Sequence, residues 1–312
     1  MKVLFIDSVH EILAQRLTAH DFECIDGTSW SRDKCIEELE SIEGIVVRSR
    51  FPMDESFLSH APNLKFIARS GAGMENIDLD YTTKKEIICF NAPEGNRNAV
   101  AEHALGMLLN LFNRLLIADR EVRKGVWERE GNRGIELDGK TVGIIGYGNN
   151  GSAFAQKLAG FNVTILAYDK HKVNFGTEKV KESTMEEIFE KSDVVSFHIP
   201  QNEETMFMAD HTFFHSFKKS IYLINLSRGK IVSTRALVSG LETGKILGAC
   251  LDVLEYESSS FENAIQQEKA APLQYLLDSD KVILSPHVGG WTKESYFKLS
   301  NVLADKILAE FA

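Results

Sequence analysis

The sequence has only four cysteines in 312 residues, Cys24, Cys35, Cys89 and Cys250, and no two of them form a CxxC pair. That scarcity excludes a zinc ribbon and a disulfide framework, so no metal site is expected and the four read as buried thiols of a reducing compartment. No run approaches the roughly 18 consecutive apolar residues of a membrane helix, and the N-terminal MKVLFID reaches Asp7 too early for a signal-peptide core. A cytoplasmic protein with no membrane partner is the expectation. Positive charge is also in short supply. Against 45 Asp and Glu stand 35 Lys and Arg, and the formal charge of -10 would repel phosphate backbones, which argues against a nucleic-acid partner. Tandem repeats and low-complexity segments are missing. At 44% hydrophobic and 26% charged the chain is too apolar for disorder, and its length suits about two domains.

What is present is an alternation of short apolar runs with helix-length segments, the pattern of an α/β protein whose parallel sheets are joined by helical crossovers. The first series of strands is KVLFI (2–6), GIVV (44–47), KFIA (65–68) and IICF (87–90), separated by polar, amphipathic stretches such as 31–40 and 54–60. From Ala99 a helix follows, with Ala104, Met107, Leu108, Leu111 and Leu115 on one stripe and Leu105, Leu109, Phe112 and Leu116 on a second. Apolar on more than one face, it reads as a central helix, part of it a subunit interface. A second series comprises TVGII (141–145), VTILAY (163–168), VVSF (194–197), YLIN (222–225), ILGACLDV (246–253) and VIL (282–284). The last segment, 292–311, is helical in period and is expected to pack back on the N-terminal part.

Residues 146–151, GYGNNG, form a GxGxxG directly after TVGII and open the helix SAFAQKLAG. Gly146 permits the tight turn, Tyr147 follows it, Gly148 lets the backbone approach a pyrophosphate, Gly151 allows close helix packing, and the helix N-terminus faces the anion. Asp169, 18 residues after Gly151 at the end of the next strand, can bind both ribose hydroxyls and would repel the extra phosphate of NADP, so NAD is the expected cofactor. Lys170, His171 and Lys172 read as a solvated turn.

Ligands of an open parallel sheet bind at the carboxyl ends of its strands. Arg228 follows YLINLS, Glu257 lies beyond ILGACLDV and His287 follows VILSP. An arginine fork can bind a carboxylate and polarise a carbonyl, a histidine can carry the hydroxyl proton, and a carboxylate beside that histidine fixes its tautomer. His198 before Pro200 also follows a strand and competes as acid/base. His287 is preferred because Pro286 stiffens its approach and Gly289 and Gly290 leave room for a ring.

VVRSR, IARSGAGMENID, NAPEGNRNAVAEHALGMLL, GYGNNG, HIPQNEET, INLSRG, LDVLEYE and SPHVGG together resemble the D-isomer-specific 2-hydroxyacid dehydrogenases across nearly the whole chain. The resemblance implies two doubly wound parallel-sheet domains: a Rossmann NAD-binding domain (99–285) inserted into a flavodoxin-like substrate domain (1–98 and 286–312). It places the family's catalytic residues on Arg228, Glu257 and His287, and its substrate residues on Arg48, Arg69, Ser70, Gly71, Ala72 and Gly73. Its cofactor contacts fall on Asn149, Asn150, Asp169, Thr205, Leu226, Ser227 and Asp252. With these go Val100, the glycine loop, His198, Pro200, Gly289 and Gly290. The helix from Val100 looks like the family's dimer element, which implies a homodimer.

Two departures stand out: Ser258 occupies a place where proline is usual in the family, and 258–280 is longer and more polar than typical. The chain is most like a short phosphoglycerate dehydrogenase without the C-terminal regulatory domain. Arg48 and Arg50, two apart in VVRSR, can point to one side of a strand and suit a phosphate, as a similar RSR does in the phosphoglycerate members. That favours oxidation of 3-phosphoglycerate to 3-phosphohydroxypyruvate in serine synthesis. Arg48 alone would suffice for glyoxylate or hydroxypyruvate. The alternative of another class is an NAD(H)-sensing, dimeric corepressor-like protein, against which the complete Arg228, Glu257 and His287 set stands.

Overall fold

The computed structural model describes residues 1–257 and 271–312. Two compact units divide them, Met1–Arg97 with Trp291–Ala312, and Asn98–Gly290. Pro286 to Gly290 thus fall with the second unit, whereas the sequence expectation placed 286–312 in the first.

The first unit holds β1 (Lys2–Phe5), α1 (Ile12–Thr18), β2 (Glu23–Asp26), α2 (Arg32–Glu38), β3 (Gly44–Val47), α3 (Glu55–Leu58), β4 (Phe66–Arg69), α4 (Leu79–Lys84) and β5 (Ile88–Asn91). The strands form one parallel sheet in the order β2-β1-β3-β4-β5. Alternate residues feed opposite faces, as the strand period of two requires: Leu4 and Ile6 enter one apolar cluster, Val3 and Phe5 the other. β2, with its half-exposed ECID, carries too weak an apolar signal to be read from sequence.

Next come α5 (Pro93–Asn113), opening on a proline whose missing N–H costs nothing at a helix start, and α6 (Leu115–Arg123), set off by Arg114 at φ 53°. The second unit continues with β6 (Thr141–Ile145), α7 (Asn149–Leu158), β7 (Thr164–Tyr168), β8 (Val180–Glu182), α8 (Met185–Lys191), β9 (Val194–Phe197), α9 (His211–Ser216), β10 (Ile221–Asn225), α10 (Thr234–Thr243), β11 (Ile246–Leu251), α11 (Ala271–Asp278) and β12 (Val282–Leu284). Its sheet is parallel, in the order β12-β11-β10-β9-β6-β7-β8, with an apolar cluster on each face. α12 (Lys293–Phe311) starts with a capping box between Thr292 and Ser295 and returns to the first unit. There Leu299, Leu303, Ala304 and Ile307 pack with Val3, Phe5, Leu13 and Leu17. Cys35 and Cys250 are buried in these cores, and Cys24 and Cys89 half-buried. Among the described residues no helix is long and apolar enough to cross a membrane.

Candidate active site

Because every strand of the second sheet is parallel, all its carboxyl ends share one edge. The order reverses between β9 and β6, where successive crossovers leave in opposite directions and open a crevice. The glycine loop follows β6 and Asp169 follows β7. On the other side, Arg228, Glu257 and His287 follow the neighbouring strands β10, β11 and β12.

In the loop, Gly146 stands at φ +93°, and a β-carbon there would lie 2.5 Å from the His198 carbonyl oxygen. One on Gly151 would lie 1.9 Å from the Gly146 oxygen, so α7 abuts the loop. Around a β-carbon on Gly148 there is nothing within 4 Å. Asp169 Oδ2 accepts from the Tyr147 amide at 2.8 Å, and Oδ1 accepts from His171 and Lys172 at 2.9 and 3.0 Å. Burial opposes its ionisation, but these three amides hold the carboxyl below its usual range. Lys172 donates to the Tyr147 carbonyl and Lys170 pairs with Glu204. The Tyr147 ring stacks on Phe175. Thr205 donates its hydroxyl to the Pro200 carbonyl.

His287 Nδ1 lies 2.8 Å from Glu257 Oε2, with the two side chains 23% and 14% exposed. Glu257 Oε1 accepts from the Leu254 amide, which folds the turn back on itself. Arg228 precedes Gly229, whose missing side chain lets its turn sit against the Leu254 backbone. Buried Asn225 shapes that turn: Oδ1 accepts from the amide and hydroxyl of Ser227, and Nδ2 donates to the Arg228 carbonyl. Leu226 and Ser227 are themselves buried. Asp252, 2% exposed, accepts from the amides of Val288 and Gly289, and its carbonyl from that of His287. Its carboxylate therefore braces the loop carrying His287. His198 is not so placed. Its Nε2 lies 2.8 Å from Ser196 Oγ, its ring packs on Phe154, and burial lowers its pKa to about 4. An imidazole that resists protonation in this way is unsuited to acid/base work near neutral pH, so the competing histidine is set aside.

In the first unit Asp7 Oδ2 gathers the amides of Arg48, Ser49 and Arg50 at 2.6 to 3.2 Å. The Arg48 guanidinium lies 4.1 Å from the centre of the Trp291 ring, and its carbonyl accepts from Arg69 Nε. Arg50 does not stand beside it. β3 ends at Val47, so the alternation of a strand does not extend to residues 48–50. The Arg50 guanidinium donates instead to the carbonyls of Ile6, Gly27, Thr28 and Trp30, where it ties the ends of β1 and β2 together. Among residues 69–73, the Ser70 and Gly71 amides are already bonded, to the carbonyls of Val47 and Arg69.

Residues 105–289 match the family described as D-isomer specific 2-hydroxyacid dehydrogenase, NAD binding domain. The chain belongs to the D-isomer specific 2-hydroxyacid dehydrogenases. It is 34% identical over 310 residues to the D-3-phosphoglycerate dehydrogenase of Archaeoglobus fulgidus, which covers 99% of this chain and 57% of that protein. It is 32% identical over 287 residues to the glyoxylate reductase of Pyrococcus furiosus, 89% and 82% of the two chains. The chain thus spans little more than half the length of the phosphoglycerate dehydrogenase it matches. The D-lactate dehydrogenase of Aquifex aeolicus, solved with NAD and lactic acid, superposes with a TM-score of 0.83 at 29% identity over 99% of this chain and 95% of that one.

A 2-hydroxyacid dehydrogenase of this kind carries NAD, and the residues present fit it. Gly148 leaves open the space a side chain would fill, and Asn150 Oδ1 at the start of α7 is buried without a partner. Asp169 uses three of about four acceptor positions on its amides and keeps its negative charge. Asn225, Gly229 and Asp7 were not legible as site residues. A buried Asn before a strand-end Arg is a weak signal that only the folded turn makes specific.

Proposed function

We propose that this chain is an NAD-dependent dehydrogenase interconverting a D-2-hydroxy acid and its 2-oxo acid. The observation that supports it most is the 2.8 Å Glu257–His287 pair at the edge of the NAD-binding domain where Arg228 also emerges. With Nδ1 held by Glu257, His287 exchanges the hydroxyl proton through Nε2, and the carboxylate stabilises the imidazolium. Arg228 binds the substrate carboxylate and polarises the oxo oxygen. The glycine loop, Asp169 and the segment 226–227 would hold NAD(H), which would supply or accept the hydride.

The substrate is a small unphosphorylated acid such as glyoxylate or hydroxypyruvate, because Arg50, the second cation a phosphate would need, is engaged with four carbonyls. The phosphoglycerate dehydrogenase relatives favour a second reading, 3-phosphoglycerate and a role in serine synthesis. Self-association as a homodimer through the α5–α6 region is in keeping with exposed Leu115, Leu116, Val122 and Trp127, the last 79% exposed.

The test is NADH oxidation with phosphohydroxypyruvate, hydroxypyruvate, glyoxylate, pyruvate and 2-oxoglutarate side by side, for the parent, Arg50→Ala and His287→Ala. His287→Ala should lose about 100 to 10,000-fold in turnover with NADH binding intact. Binding of NADH with no turnover of any acid by the parent would favour the cofactor-sensing alternative. A preference for phosphohydroxypyruvate that Arg50→Ala abolishes would restore the phosphate reading.

A further inference from the structure

Ser285 follows β12 by one residue, and its Oγ lies 2.6 Å from Asp252 Oδ1 and 2.9 Å from His103 Nε2, which reaches it from α5 across 182 residues of sequence. The proton order in this chain is fixed by chemistry. An ionised carboxylate only accepts, so the one Ser285 hydroxyl proton points to Asp252, and His103 must then donate from Nε2 to the serine oxygen. His103 Nε2 is itself 3.7 Å from Asp252 Oδ1. Asp252 turns its remaining acceptor capacity to the amides of Val288 and Gly289, and its carbonyl accepts from the His287 amide. The backbone of His287, Val288 and Gly289 is therefore linked to α5 through Asp252 and Ser285. His287 needs such support, because its φ of +54° lies in the left-handed region that residues with a β-carbon seldom adopt.

We propose that His103 and Ser285 are positioning residues that act through Asp252 to hold the His287 loop, and so aim the His287 imidazole at Glu257. The inference rests on His287 being the acid/base of the proposed function. His103 touches none of the reacting groups. Its contribution is to orient the serine hydroxyl, so that the Asp252 carboxylate keeps its geometry toward the two amides beyond His287.

The experiment compares Ser285→Ala, His103→Leu and His103→Gln, each alone and combined with His287→Ala, in NADH oxidation with the best of the five oxo acids. Ser285→Ala removes one oxygen and guards against a failure of His103→Leu to fold, while NADH fluorescence reports an intact cofactor site in every variant. We expect Ser285→Ala and His103→Leu to lower kcat and kcat/KM together by about tenfold, as displacement of a catalytic group by a fraction of an ångström does. NADH affinity should stay within about twofold. His103→Gln, which retains a side-chain N–H, should recover most of the rate. In the His287→Ala background the same changes should cost nothing further, a non-additivity that a purely structural role would not produce. Parent-like kcat in Ser285→Ala and His103→Leu, or an equal loss with and without His287, overturns the proposal while leaving the acid/base reading in place. Full turnover by His287→Ala alone would remove both together.

Discussion

Gly229→Ala tests whether the proposed catalytic set depends on contact between two turns. A β-carbon on Gly229 would lie 1.9 Å from the Leu254 carbonyl oxygen and 2.1 Å from the carbonyl carbon, whereas such contacts essentially never fall below 3.0 Å. About 1 Å of separation must therefore open between the Arg228 turn and the Leu254 turn, and neither side has a flexible side chain that could give way. Gly229 is not among the glycines with positive φ, so the effect is one of contact and not of torsion. Leu254 is bonded through its amide to Glu257, and Glu257 to His287, so the displacement passes along the site. Overpacking of this kind costs about 1–3 kcal/mol, which in a unit of this size lowers Tm by roughly 3 to 10 °C. A misplacement of about 1 Å costs about 100-fold in kcat/KM. Calorimetry, NADH fluorescence and NADH oxidation together make the assay, with cofactor affinity expected to fall much less than kcat/KM, because the glycine loop and Asp169 follow other strands and only the segment 226–227 adjoins the displaced turn. An unchanged Tm with unchanged kcat/KM would refute the reasoning.

Gly148→Ala should leave Tm unchanged but weaken NADH binding at least about tenfold, because its methyl enters space that is open in the protein and needed by the pyrophosphate. Gly151→Ala should lose stability and binding together, since its β-carbon meets the Gly146 carbonyl. His198 has a folded pKa of about 4 against about 6.5 when unfolded, so the unfolded chain takes up a proton first and stability falls as pH drops through that window. Urea unfolding should show a loss of about 2 kcal/mol between pH 7 and pH 5 that His198→Gln removes; identical pH dependence in both proteins would contradict the burial argument. Arg50→Ala should lower Tm while leaving the order of preference among the five oxo acids as it was, which parallel melting and activity measurements would show.

Strands such as GIVV, TVGII and VVSF were legible to the residue because they are short apolar runs in buried parallel sheets, where both faces demand hydrophobic side chains. β2 and β8 were not, since each lies at a sheet edge and carries exposed charge. Of the departure noted at 258–280, residues 258–270 lie outside the described residues. Within the candidate site, position after a strand singled out Arg228, Glu257 and His287, and the structure brings Glu257 and His287 to 2.8 Å of each other. Arg50 was misread because strand alternation was extended past Val47, where Asp7 gathers the next three amides into a turn. Asp252 shows a subtler limit: the resemblance marked it only as a cofactor contact, and its hydrogen bonds to the His287 loop depend on chain separated by more than 30 residues.

The arrangement of the proposed catalytic set follows from sheet register. Asn225, Leu251 and Leu284 stand side by side across β10, β11 and β12. From that common row Arg228 and His287 lie three residues onward, and Glu257 lies six onward along the middle strand. The extra length is what lets the Glu257 turn fold back through Leu254 and meet a histidine delivered by the next strand. The register irregularity between β10 and β11 sits at Ile221/Tyr222, at the entry end, and leaves the row at the catalytic edge in line. A slip of one residue in β11 would carry Glu257 about 3.3 Å along the strand and turn its alternating side chains to the opposite face. A step of that size would break the 2.8 Å contact between Glu257 and His287, so the pair depends on this register. The same buried residues that specify the register, Ala249, Cys250 and Leu251 among them, thereby specify the chemistry at its edge.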